Sequence, residues 1–129
     1  MGEIPESRRL AREVVRRAEA GEQVEVCAGS SVRTEIRVYG GDVESLTVAE
    51  SRGVGVRVIR DGREGLAHAG SWDPDVIDTL LAEARDNMSS AEPDDRVGLA
   101  EPDGVDAADI DPWDDRIEAT SVDDKVAIA

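Results

Sequence analysis

The sequence has 129 residues, a length typical of one domain, and a formal net charge of −15 at pH 7. This excess of negative charge disfavours binding to nucleic acid or to an anionic membrane surface, because both depend on lysine and arginine. The single cysteine, Cys27, excludes an intrachain disulfide. With no secretory signal and no long apolar run, the sequence predicts a cytoplasmic protein.

The first predicted helix covers residues 7–20 and is amphipathic. Leu10 and Val14 stand at helical spacing and begin one apolar stripe. Ser7 is the predicted N-cap, and Gly21 is the predicted stop. Arginines occupy much of the remaining surface and could form a nucleic-acid patch, but interspersed glutamates favour an ordinary solvated face.

Apolar residues at a spacing of two then predict five β-strands. Val24–Ala28 is the first strand, and Val32–Tyr39 has the clearest alternation. Gly40-Gly41 predicts a two-residue turn, after which Val43–Ala49 returns as the third strand.

The last two predicted strands form a glycine-rich hairpin over residues 53–69. Val54, Val56 and Val58 alternate with glycine or arginine, and Asp61-Gly62 suits a tight turn. Glycine inside a strand lowers its stability unless another element packs closely over it or the ribbon bends. The hairpin is therefore the most distinctive stretch of the chain.

Asp73 and Pro74 predict the start of a second helix, which we expect to end near Met88–Ala91. The element order is helix, five strands, helix. Short hairpin connections between the strands predict an α+β fold, with an antiparallel meander sheet of about five strands and two helices packed on one face.

An irregular acidic segment is predicted to follow this domain. Residues 86–129 carry 14 acidic and 3 basic groups, a net charge of −11, against −4 for the preceding residues. Proline, glycine and aspartate from Glu92 onwards disfavour regular structure. We expect Ile110 and Trp113 to pack this segment back on the body of the protein.

A final helix is predicted to begin after Thr120 or Ser121, and it has made only two turns when the chain stops. We therefore divide the chain into an α+β N-terminal domain at 1–91 and an acidic linker with a truncated helix at 92–129. A helix that stops so early cannot bury its apolar face, so we expect this chain to be the N-terminal piece of a longer protein.

Residues with reactive side chains are few, and we predict no catalytic, cofactor or metal site among them. His68 is the single histidine, although zinc needs several converging ligands, so a structural or surface role is favoured. Cys27 is predicted to be a buried small residue. Ser30-Ser31 reads as a loop, and Gly53-x-Gly55 lacks the further glycine of a dinucleotide cradle. The aspartates between 101 and 115 do not fit a calcium loop.

The sequence resembles the N-terminal domain of the TldD/PmbA family, metalloprotease-related proteins long labelled modulators of DNA gyrase. Two features carry the resemblance. The first is the run Ser51–Val58 with the Asp-Gly turn and Gly65 after it. The second is a set of downstream runs that look more like the PmbA (TldE) branch, namely Val97–Pro102, Asp109–Asp114 and Ser121–Ala127.

The resemblance implies a role in peptide proteolysis or processing. It implies a zinc site built on a His-Glu-x-x-x-His helix that lies beyond these residues or in a TldD-type catalytic partner, with which a PmbA-like subunit forms a heterodimer. This chain would then be the non-catalytic N-terminal domain. The alternative, suggested by the acidic last third, is a stand-alone acidic interaction module, either an inhibitor or a DNA mimic.

Overall fold

The computed structural model describes residues 5–106, 108–110, 112 and 114–129. These residues form an α+β fold in which three strands make an antiparallel sheet in the order β1-β2-β3. The elements, in chain order, are α1 (Glu6–Val15), β1 (Gln23–Tyr39), β2 (Asp42–Arg60), β3 (Arg63–Ala69), α2 (Pro74–Ser90), α3 (Asp115–Ala119) and α4 (Val122–Ile128).

The predicted count of five strands is wrong for the described residues, which contain three longer ones. Val24–Ala28 and Val32–Tyr39 both belong to β1, and β2 likewise runs without a break from Asp42 to Arg60. The Gly29-Ser30-Ser31 stretch, predicted as a loop, is extended. Ser31 and Ser51 face each other with 2.8 Å between their Oγ atoms, which shows how pairing with a neighbouring strand outweighs weak local preferences.

Both predicted two-residue turns are confirmed. Gly40 and Gly41 have φ values of 62° and 88°, and Asp61 and Gly62 have values of 53° and 71°. Positive φ at both central residues gives the twist that two-residue hairpins need. The second turn sets the β2–β3 register from Arg60 opposite Arg63 to Val54 opposite Ala69.

The chain divides into two compact units. The first contains the residues up to Ser31 and Ser51–Glu101, and the second contains Val32–Glu50 and Pro102–Ala129. Within the described ranges, the buried hydrophobic residues lie in the first unit: Val14, Val24, Val54, Val56, Val58, Ile59, Ala67, Ile77, Leu80, Leu81, Ala84 and Met88.

Helix α2 packs directly on β3, and Gly65 makes this close approach possible. A Cβ atom on Gly65 would overlap the carbonyl oxygen of Ala84 and would lie 2.8 Å from Cα of Met88. Helix α1 adds Val14 to the same core. The prediction that two helices pack on one face of the sheet is therefore consistent with the described core.

The predicted helix boundaries are right for α2 and wrong for α1. Helix α2 has Asp73 at its N-cap position and ends at Ser90, although the Asp73 carboxylate accepts from the Ser71 hydroxyl instead of capping. Helix α1 already ends at Val15 and places Ser7 inside the helix. Beyond it, the Arg17 and Ala18 amides donate to the Val14 and Val15 carbonyls, so the chain continues in tighter turns, and the Arg17 carbonyl accepts a hydrogen bond from Arg85 on α2.

Residues 92–101 belong to the first unit and are attached to it by hydrogen bonds. The Asp94 amide donates to the Gly62 carbonyl at 2.8 Å, and Arg57 donates to the Gly98 carbonyl at 3.1 Å. The Leu99 amide donates to the Gln23 side chain. No helix or strand is present among the described residues from 91 to 114. The proposed domain boundary after residue 91 stays a prediction.

The second unit has no buried side chain among its described residues. Its last helix, α4, begins as predicted: the Asp124 amide donates to Ser121 Oγ at 3.1 Å. Helix α3, capped by Asp114, was not predicted from the sequence. The packing predicted for Ile110 is wrong, because this residue is 73% exposed, and Trp113 lies outside the described residues.

Candidate functional site

A surface groove of about 280 Å³ lies on the sheet of the first unit. It is formed mainly by residues that alternate with the buried ones on all three strands, so their side chains stand on the face opposite the core. The lining residues are Glu25, Cys27, Gly55, Val56, Arg57, Leu66, Ala67 and His68.

The glycine of β2 leaves the floor of this groove open. Gly55 has an ordinary negative φ, and a Cβ atom built on it would come no closer than 4.0 Å to any heavy atom outside its neighbours, the nearest being the Ala67 carbonyl oxygen. Gly55 is therefore not required by packing within the chain. Its lack of a side chain keeps space for another molecule to approach the sheet.

Arg57 brings charge to the groove and connects three parts of the first unit. Its Nε atom lies 3.3 Å from a carboxylate oxygen of Glu25 on β1 and 3.7 Å from one of Glu64 on β3. Its Nη2 atom donates to the Gly98 carbonyl. Nε is buried and makes no hydrogen bond of acceptable geometry among the described residues. The guanidinium is thus fixed between two carboxylates.

Cys27 and His68, which the sequence does not connect, both line this groove. The prediction that Cys27 is buried is wrong: its thiol is free and exposed. Val24 is buried and Val26 half-buried, so the alternation of β1 turns Cys27 to the other face. His68 is also exposed and pairs with Gly55 across the β2–β3 ladder.

An ion pair between Glu22 and Arg85, whose side chain is 27% exposed, holds the start of β1 against α2 and so fixes one end of the sheet. The Glu22 side chain has no exposed surface, and its carboxylate accepts two hydrogen bonds of 3.0 Å from the Arg85 guanidinium. The Glu19 amide donates a third, at 2.9 Å. These donors, above all Arg85, hold the pKa of Glu22 below its ordinary value of 4.5 despite its burial, and the same pair raises the pKa of Arg85.

A larger cavity, of about 860 Å³, lies beside the Asp61-Gly62 turn and is rich in acidic residues. Its one arginine, Arg96, is bound by the Asp94 carboxylate at 2.9 Å, and this contact lowers the pKa of Asp94. This cavity is lined by a turn and by residues 92–96, whereas the groove over Gly55 is built on three paired strands, which hold its side chains in place. The groove is therefore the better candidate site.

Potential metal ligands stay apart in the described part of the chain. No group of three or more histidine, cysteine, aspartate or glutamate side chains converges among these residues. The zinc that the family resemblance implies therefore does not fit the donors described in this chain. Ser30 and Ser31 lie in β1, and Gly53 and Gly55 lie in β2, away from any helix start.

The sequence alone did not predict this groove, because its lining residues come from three different strands. The alternation that predicts Val54, Val56 and Val58 to be buried also places Gly55 and Arg57 on the opposite face. That alternation was the available signal, but it does not reveal which residues of β1 and β3 stand beside them.

Residues 24–88 match the family model described as PmbA/TldA metallopeptidase domain 1. The chain therefore belongs to this family, and the match spans all three strands and most of α2. The predicted resemblance to an N-terminal domain of the TldD/PmbA family is confirmed.

A similar protein is the uncharacterized protein MJ0231 of Methanocaldococcus jannaschii, which is 35% identical over 57 residues. The aligned region covers 44% of this chain and 14% of that protein. The chain thus spans only a small part of the length of this relative. Among the described residues, none of the helices has the length and apolar character needed to cross a membrane.

Proposed function

We propose that this chain is the non-catalytic N-terminal domain of a PmbA-branch protein that takes part in peptide proteolysis or processing. Membership of the PmbA/TldA metallopeptidase family supports this role. A TldD-type partner would supply the zinc site and the hydrolytic chemistry, in the cytoplasm. The branch assignment is supported by the downstream runs beginning at Val97, Asp109 and Ser121.

Within that role, the groove over Gly55 holds part of an extended peptide. The observation that carries this proposal is the open floor at Gly55, where a side chain would meet nothing of the protein itself. A volume of about 280 Å³ suits one or two peptide side chains better than a whole cofactor. Leu66, which is 59% exposed, offers apolar contact at this position.

The charged groups around the groove would fix the direction of the peptide. The Arg57 guanidinium donates to a peptide carbonyl or carboxylate, and the Glu25 carboxylate accepts from a backbone amide or a basic side chain. The domain binds and orients the chain, and the reaction takes place elsewhere.

The partnership is tested by co-expressing the full-length protein with a TldD-type protein of the same organism and purifying through a tag on one of them. We expect the two to elute together and the pair to degrade fluorescently labelled casein faster than either alone. Failure to associate, or full activity of the TldD-type protein alone, would contradict the proposed role.

The groove is tested by filling it. Gly55→Leu places a side chain in the groove, and its Cβ atom would come no closer than 4.0 Å to the Ala67 carbonyl oxygen. Gly29→Leu is the matched control, because Gly29 is an exposed glycine of β1 that does not line the groove, and a Cβ atom added to it would meet no heavy atom within 4 Å. We expect Gly55→Leu to weaken binding of labelled casein about tenfold or more, the effect of losing roughly 1.4 kcal/mol, and Gly29→Leu to leave it unchanged. Equal binding by both variants would exclude the groove as the peptide site.

A further inference from the structure

A further cavity, of about 300 Å³, lies between the end of β3 and helix α2, and we call it the β3–α2 cavity. Its lining residues are His68, Ala69, Asp75, Val76, Thr79, Leu80 and Glu83, all of which belong to the first unit. His68 also lines the groove over Gly55, so the two cavities meet at this side chain. A molecule that occupies the groove can therefore continue into the β3–α2 cavity.

The β3–α2 cavity combines an apolar floor with a negatively charged rim. Val76 is half-buried and Leu80 is 2% exposed, and both contribute apolar surface from α2. Asp75 and Glu83 are exposed residues of the same helix and place two carboxylates beside this floor.

The two carboxylates of the rim are not used within the described part of the chain. Neither Asp75 nor Glu83 holds a cation there, whereas Asp78 on the same helix binds Arg17. Like charges around one cavity repel each other, and a cation placed between them relieves this repulsion. The rim therefore favours a positively charged ligand.

A lysine or arginine side chain suits both properties of the cavity. Its aliphatic stem can lie along apolar surface while its charged head reaches the polar groups at the rim. The neighbouring groove has the same preference, because its Arg57 guanidinium is held between the carboxylates of Glu25 and Glu64. Of the groove's charged side chains, Glu25 is 56% exposed and Arg57 only 29%, so the more accessible charge is negative.

We propose that the β3–α2 cavity binds a lysine or arginine side chain of the same extended peptide that occupies the groove over Gly55, so that the domain selects basic peptides. This inference rests on the proposed function of the groove. From Gly55 on β2 to the outer side of β3 is about two strand spacings, or roughly 10 Å. An extended chain covers this distance with about three residues.

Matched peptides test the charge preference on the full-length protein. Each is a fluorescently labelled, unstructured nonapeptide with a central leucine for the groove and with lysine, glutamine or glutamate three residues away on each side. Fluorescence polarisation measures the dissociation constants. We expect the lysine peptide to bind about tenfold more tightly than the glutamate peptide, with the glutamine peptide between them. Lysines moved next to the leucine should lose this advantage, and an equal advantage at every position would overturn the proposal.

Variants of α2 test the assignment to this cavity. The double variant D75N/E83Q should reduce the affinity for the lysine peptide to that for the glutamine peptide and should leave the latter unchanged. Asp86→Asn is the matched control, because Asp86 is an exposed aspartate of α2 that lines neither cavity. Glu83→Lys should reverse the preference in favour of the glutamate peptide, a result that a loss of folding could not produce. An unchanged preference in both α2 variants would contradict the proposal.

Gly55→Leu distinguishes a failure of this inference from a failure of the groove. If this variant blocks binding of all three peptides, while the natural protein binds all three equally, the groove is the peptide site but the basic subsite is wrong. If Gly55→Leu leaves binding unchanged, the groove is not the peptide site, and this inference fails with it.

Discussion

Gly65 on β3 lies directly beneath the Ala84 carbonyl oxygen of α2, so closely that no other residue fits between strand and helix. The buried residues of α2, among them Ile77, Leu80 and Leu81, reach the sheet because the helix backbone can descend to this level. The groove on the opposite face depends on the same sheet. One glycine therefore determines the helix–sheet distance, while another, Gly55, leaves the opposite face open.

These two glycines should respond in opposite ways to the same substitution. Gly65→Ala forces helix and strand apart, and we expect the free energy of unfolding to fall by about 3 kcal/mol. Gly55→Ala meets no obstacle and removes backbone freedom from the unfolded chain, so stability should stay equal or rise by about 0.5 kcal/mol. Urea titration of both variants measures the difference. An unchanged stability of Gly65→Ala would show that helix α2 does not approach β3 as closely as described.

The buried carboxylate of Glu22 should be a main support of the first unit. Glu22→Gln removes the carboxylate that accepts two hydrogen bonds from the Arg85 guanidinium and leaves the Glu19 carboxylate, 3.5 Å away, as the remaining counter-charge, so we expect a loss of about 2 kcal/mol in the free energy of unfolding. Asp94→Asn is the comparison, because Asp94 pairs with an exposed arginine whose contribution is small. Equal urea midpoints for the two variants would contradict the importance of the buried pair.

Protonation of Glu22 should contribute to the pH dependence of stability. Because the pKa of Glu22 is lower in the folded chain than its ordinary value of 4.5, the stabilisation is complete above that value and is lost as the pH falls below it through the folded-state pKa. The natural chain should lose stability steeply in this acidic range. Glu22→Gln should flatten that decline, whereas a slope unchanged by the substitution would mean that other carboxylates dominate.

Trp72 should connect the start of α2 to the glycine-rich hairpin. Its indole Nε1 donates to the Gly53 carbonyl at 3.0 Å, and the Arg52 guanidinium lies 5.3 Å from the ring centre. Trp72→Phe keeps most of the apolar contact but removes the donor, so we expect a loss of about 1 kcal/mol. Thermal unfolding measured by circular dichroism gives the value, and an unchanged midpoint would show that solvent replaces this hydrogen bond without cost.

The cap at Ser121 should act only locally. Ser121→Ala removes the acceptor for the Asp124 amide and should destabilise α4 by about 1 kcal/mol. Since α4 has no buried residue, global unfolding of the first unit should not change. Hydrogen exchange at Asp124 should accelerate, while amides of α2 keep their protection. Loss of protection in α2 would reveal an unexpected dependence of the core on this helix.

Local signals were sufficient to predict the turns, α2 and the start of α4. Asp61-Gly62 suits a turn that needs positive φ at two adjacent residues, Pro74 suits the first position of a helix, and Ser121 caps one. Each of these signals lies within a few neighbouring residues, so no knowledge of the remaining chain was required.

Features that depend on neighbouring strands could not be predicted in the same way. Ser30 and Ser31 have weak strand preference, yet β1 continues through them because β2 pairs alongside. The exposure of Cys27 follows from the alternation of buried and exposed residues along β1, but cysteine as a residue type is usually buried, which suggested the opposite. Similarly, the residues after Val15 leave the predicted helix, and the Arg17 carbonyl among them bonds to Arg85, which is distant in sequence. The groove combines three strands, and its position depends on their register.

The hairpin residues 32–50 bury no side chain, and this has a consequence for how the sequence tolerates change. In a deep substitution scan scored only for folding, nearly every replacement there should be accepted, apart from those at the Gly40-Gly41 turn. A scan scored for function in living cells also requires the protein to bind the other molecules it works with. Positions in this ribbon that are intolerant only in the second scan would mark the surface through which the protein meets other molecules.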